Sequence, residues 1–197
     1  MKYLKMIGLA ALAAMALMGF AGSASATELY SGAVTQGKGT VIDASLSGSA
    51  ILETTGGEVL NTCTGGTVKG SIENAGSATT TVSGPISELT WSGCTRETKT
   101  IANGSLEIHH IAKTINGTVT GKNSEVTING IFGSSCVYGT GAALDLGELK
   151  GSTTNDATLA IKATVPRTAG GFLCPSTAVW NASYTVTQPT PLHVTAS

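Results

Sequence analysis

Glu107, His109 and His110 fall within the stretch SLEIHHIA, which holds the only adjacent histidines in a chain with three. Imidazole and carboxylate groups this close are the raw material of a metal site or a general base. The local geometry argues against both. Successive side chains on a strand point to opposite faces, so His109 and His110 cannot share a metal. Glu107 and His109 do share a face, which supplies two ligands at most; a third would have to come from His193 or a distant carboxylate. Leu106 and Ile108 set the inward phase and carry His110 inward, yet Ile111 falls out of phase. That slip predicts a β-bulge at the histidine pair.

Other routes to catalysis are no better supplied. The chain lacks G-x-S-x-G, H-E-x-x-H, the P-loop and G-x-G-x-x-G. Its 12 acidic residues are scattered over turns and strand edges, although carboxylate pairs for glycosidic chemistry need not be close in sequence. We therefore read the chain as a non-enzyme, with no catalytic residue, metal or cofactor assigned.

The remaining residues of chemical interest are sulfurs and aromatics. Cys63, Cys94, Cys136 and Cys174 form an even set without the C-x₂₋₄-C spacing of zinc sites. In an oxidising compartment they predict two disulfides. Of the three possible pairings we favour Cys63–Cys94 and Cys136–Cys174, each closing a loop of a few strands. Trp91 precedes Cys94 by three residues, and Trp180 and Tyr184 follow Cys174. Such aromatics either pack over a disulfide, as in many sandwiches, or form a platform for a carbohydrate or apolar ligand.

The elements that must position these residues are strands. Val68 and Ile72 face opposite to Lys69, Ser71 and Glu73; Leu159, Ile161, Ala163 and Val165 alternate with Thr158, Lys162 and Thr164. Trp180, Ala182, Tyr184 and Val186 likewise alternate with polar neighbours, the pattern of half-buried antiparallel strands. Further strands are predicted at Val41–Leu46, Ala50–Thr54, Ile86–Trp91, Ser105–Ile111, Val126–Ile131 and Leu192–Thr195. Gly- and Asn-rich turns separate them. An all-β antiparallel β-sandwich or Greek-key barrel with two disulfides follows. Pro189 and Pro191 suit an edge strand or tail, because proline cannot donate to a ladder.

The chain opens with Lys2 and Lys5, an apolar run from Met6 to Gly22 and the small residues Ala24-Ser25-Ala26. This is the form of a secretory signal, residues 1–26, cleaved after Ala26. Residues 27–197 then make one β domain, delivered outside the cell, to the cell surface or to the periplasm. Nine Lys and Arg remain against 12 acidic residues. Such a balance carries no basic footprint for nucleic acid and no polybasic patch for lipid. No later segment has the length of a membrane span, and 5% aromatics are too few for the girdles of a transmembrane barrel.

Three segments, NTCTGGTVKGSI, ISELTWSGCT and PRTAGGFLCPSTAVWNASYTVTQPTPLHV, together resemble a group of secreted bacterial proteins that includes the protein activator of alkane oxidation (PraB-like) family. The resemblance implies a small exported β-protein of the bacterial surface or matrix, linked by that name to growth on alkanes or to biofilm. It brings over no catalytic residue, only the four cysteines as structural positions. The expected role is adhesion, assembly with surface or matrix components, or capture of an apolar or carbohydrate ligand. The alternatives are a fibre subunit that donates ASYTVTQPTPLHV as a strand to its neighbour, and a secreted hydrolase.

Overall fold

A computed structural model describes residues 27–196; the expected signal at residues 1–26 lies outside them. Seventeen strands and no helix make up this part. In chain order they are β1 (Glu28–Ser31), β2 (Val34–Thr35), β3 (Val41–Leu46), β4 (Ala50–Glu53), β5 (Val59–Cys63) and β6 (Gly65–Ser71). Then come β7 (Asn74–Ala75), β8 (Val82–Ser92), β9 (Thr98–Ala102), β10 (Ser105–His110), β11 (Gly117–Lys122) and β12 (Glu125–Ile131). The last are β13 (Ser134–Gly139), β14 (Leu144–Lys150), β15 (Thr158–Gly170), β16 (Thr177–Gln188) and β17 (His193–Thr195).

Eight of these close a barrel. Antiparallel pairs run β3–β6–β8–β10–β11–β14–β15–β16, and β16 returns to β3. Closure removes the open edges that a flat sheet would leave. The strands follow one another around the barrel in chain order; besides the two-residue β7, which pairs with β8, three excursions interrupt them: β4–β5, β9 and β12–β13. The excursions share one storey because β15 and β16 are long. β14 pairs with β15 at Thr158–Ile161, whereas β13 takes the same edge further on, at Arg167–Gly170. β3 and β4 divide the free edge of β16 in the same way. The result is a lower barrel and an upper layer that share two strands.

Both disulfides tie excursions down. Cys63 ends β5 and bonds Cys94 after β8; Cys136 in β13 bonds Cys174 in the β15–β16 turn, the pairing favoured from the sequence. At the opposite end, the small sheet β2–β1–β17 plugs the barrel, with Leu29, Leu192 and Val194 almost fully buried in the lower core. Residues 182–194, the segment considered as a donor strand, are thus built into their own chain. The expected inward face of β15 is the observed one: Leu159, Ile161, Ala163 and Val165 are all buried.

The expected bulge at the histidines does not occur. β10 pairs with β11 in unbroken register from Ser105↔Lys122 to His110↔Gly117. Ile111 is out of phase because the strand ends at His110 and the chain turns, with Thr114 N–H donating to the Ile111 carbonyl. The irregularity in this region lies on the other side of β11, between Val119 and Thr120.

Candidate functional site

The residues read first as chemistry stay apart. His109 is exposed and lies 3.9 Å from Glu107, whose other oxygen is 2.5 Å from Lys122 Nζ. His110 turns away, its Nε2 2.8 Å from the Thr114 carbonyl. His193 is buried at the plugged end and stacks on Tyr30, with ring centroids 5.8 Å apart. Among the described residues no three His, Cys, Asp or Glu side chains converge as a metal site.

The aromatics behave differently. Trp91 and Trp180, the chain's two tryptophans, are both half-buried and meet edge to face with ring centroids 5.7 Å apart, where barrel and upper layer join. A bulge turns Trp91 inward. β6 and β8 slip register between Lys69 and Gly70, so Lys69 opposes Glu88 while Gly70 opposes Ile86. Ser87 is the extra residue; Ser87 and Glu88 are both exposed, and the inward phase passes from Ile86 to Leu89 and Trp91. Without the slip, Glu88 and Thr90 would face in. Across the ladder Trp91 lies opposite Gly66, where a Cβ would come 2.8 Å from the Thr90 carbonyl oxygen. Trp180 arrives by simple alternation on β16, paired with Ala163 and Leu52. Tyr184, four residues further along, is fully buried in the lower core and apart from this pair. Burial pushes its hydroxyl pKa well above the ordinary tyrosine value, and the hydroxyl has no hydrogen-bond partner among the described residues.

The tryptophan pair lines a cavity of about 100 Å³. Leu52, Leu89, Val126, Ile128 and Val165 form much of its wall. A second cavity of about 90 Å³ lies below it in the barrel and reaches Leu29 and Leu192 of the plug. Val68, Ile86, Leu106 and Leu159 line both and stand between them.

Few polar atoms reach the upper cavity, and the side chains of Asn61, Ser124, Thr140 and Tyr138 are engaged, while the Trp91 indole nitrogen is not. Asn61, 4% exposed, donates to Thr98 Oγ1 at 2.8 Å and accepts from Thr95 Oγ1 and Arg96 N–H at 3.0 and 2.9 Å. These bonds join β5 to Thr98 at the start of β9 and to the turn before it, although β5 and β9 share no ladder. Ser124 Oγ donates to the Asn103 carbonyl, and Thr140 Oγ1 accepts from Ser124 N–H. The Trp91 indole nitrogen is buried with no hydrogen-bond partner among the described residues. Tyr138, another wall residue, donates to the Pro175 carbonyl at 3.2 Å; burial raises its hydroxyl pKa, opposed by nearby Arg167. A void of this kind rejects hydroxyl-rich molecules, which would lose their water hydrogen bonds without replacement, and accepts hydrocarbon.

Sequence reasoning found the tryptophans but not their setting. The inward turn of Trp91 was signalled by the broken alternation Ile86, Leu89, Trp91. Asn61 carried no signal, since an asparagine after Leu60 reads as a turn residue. No protein family, curated protein or solved structure matches the chain.

Proposed function

We propose that the chain is an exported, non-enzymatic β-barrel module that holds a small, slender apolar ligand in the cavity beside Trp91 and Trp180. The observation that carries this reading is the cavity itself: aliphatic and aromatic walls whose polar atoms are already paired within the protein or buried. An apolar void of about 150 Å³ stays dry and takes up benzene. Each cavity here is smaller, and the two together are larger. An alkyl chain passing Val68 and Leu159 from one to the other suits that shape better than a compact ring. The reading is chemically consistent with the alkane link that the sequence resemblance implies, and two disulfides suit an oxidising site at the cell surface, in its matrix or in the periplasm. Self-assembly by strand donation has less support, because the proposed donor is already paired at home.

Because both tryptophans line the cavity, tryptophan emission reports on it. Titrating purified protein with n-alkanes from hexane to decane should change that emission saturably, with an optimum chain length, whereas glucose and cellobiose should not. Unchanged emission and unchanged thermal stability at alkane saturation would overturn the proposal.

A further inference from the structure

The described chain contains two phenylalanines, Phe132 and Phe172, and both are exposed, by 50% and 92%. They occupy two turns at one end of the upper layer. Phe132 tips the β12–β13 hairpin; Phe172 and the 45%-exposed Leu173 tip the β15–β16 turn. The turns are neighbours because β13 pairs with β15 through Cys136↔Gly170 and the Cys136–Cys174 bond joins them. Phe132 sits at φ +46°, a backbone region where bulky side chains are outliers and glycine or asparagine is usual. A residue held outward against that preference points to a use for the exposed ring.

The only two arginines of the whole chain serve these turns. Arg96 Nη1 donates to the Gly130 carbonyl, two residues before Phe132, and its Nε donates to the Leu60 carbonyl. Arg167 Nη1 donates to the carbonyls of Gly171, beside Phe172, and Cys174. Among the described residues neither guanidinium pairs with a carboxylate, so both charges stand unneutralised and keep N–H donors free. Glu97, tied to the hairpin through Asn129, is itself paired with Lys99 at 2.6 Å. Glu58 and the exposed Val59 follow on the β4–β5 turn. Two rings and a leucine flanked by two cations form an apolar tip with a basic collar on a chain whose acidic residues outnumber its basic ones.

We propose that this end docks on a bilayer of anionic phospholipid. Phe132, Phe172 and Leu173 enter the boundary between headgroups and acyl chains, while Arg96 and Arg167 meet the phosphates with their remaining donors. The surface is separate from the internal cavity and does not depend on its being filled.

The test is flotation of the folded, disulfide-bonded protein with vesicles of phosphatidylcholine, with and without about a third phosphatidylglycerol. Binding should require the anionic lipid and fall severalfold between 0.05 and 0.5 M salt, since each arginine near such a surface changes partition by roughly fivefold. F132N and F172S, both at exposed positions, should keep the wild-type melting temperature. Each should lower the partition coefficient by about tenfold, the scale of one phenylalanine ring leaving an apolar phase. Equal binding to neutral and anionic vesicles, no binding to either, or wild-type binding by F132N/F172S would each overturn the proposal. So would a concentration-dependent dimer lost in F132N/F172S, which would assign the tip to a second copy of the chain.

Discussion

Val68→Phe tests the internal cavity directly. Val68 points into the barrel from β6, opposite Ala44 and Leu89, and lines both cavities. A larger ring at this position grows into empty space before it meets a wall. Unfilled volume in a protein core costs about 24 cal/mol per Å³. If the ring occupies half of the 100 Å³ upper cavity, it should add about 1.2 kcal/mol. For a domain of this size that is a rise of roughly 2–5 °C in melting temperature. In a core without voids the same change would cost about 1–3 kcal/mol by overpacking, so the sign of the shift discriminates. Thermal unfolding with and without alkane supplies the second half of the assay. Wild-type protein at a hundredfold excess over Kd should gain about 2.7 kcal/mol from the ligand, roughly 5–11 °C. Val68→Phe should gain little, because its own ring holds the space. A variant that melts several degrees lower than wild type and still shows the full alkane shift would refute the reasoning.

Two further substitutions probe the frame around the cavity. Tyr184→Phe removes a buried hydroxyl that has no partner among the described residues, and should leave stability at neutral pH unchanged or raise it by up to about 1 kcal/mol. Because burial raises the folded pKa of Tyr184, both states are neutral below about pH 10 and no pH dependence arises there. Above that, the unfolded chain ionises first, and stability should fall by about 1.4 kcal/mol per pH unit for this group. Urea titrations at pH 9 to 11 should show a shallower decline in Tyr184→Phe, with a residual slope from Tyr138, whose pKa is also raised. Asn61→Ala strips the hydrogen bonds to Thr95, Arg96 and Thr98, with a weaker one to Cys63 Sγ, and leaves buried partners unpaired; a loss of about 2–3 kcal/mol in urea denaturation is expected.

Strand identity was legible wherever a run alternated without interruption. β15 and the inner face of β16 read directly, because Leu159 to Val165 and Trp180 to Val186 keep one phase throughout. β3 was predicted with its observed limits. Gly117–Lys122 and Ser134–Gly139 were missed as strands because glycine and serine hide the period. The histidine pair misled for a related reason. A broken phase marks either a bulge or the end of a strand, and two residues of context do not distinguish them. At Ile86–Trp91 the same broken phase was a true bulge, and it set the site.

Local residue chemistry by itself determined that this chain pleats and where most of its turns fall; it left three disulfide pairings open, and the structure shows Cys63–Cys94 and Cys136–Cys174. Pleating and turning depend on alternation and backbone freedom at glycine, each confined to a few dozen residues. Which void the pleats enclose was decided only by the tertiary structure. That required β15 and β16 to outrun the barrel and carry a second storey, one bulged residue to swing Trp91 inward, and Asn61 to join two strands that never pair. A cavity belongs to the packing of distant segments against each other, so no stretch of the chain contains it.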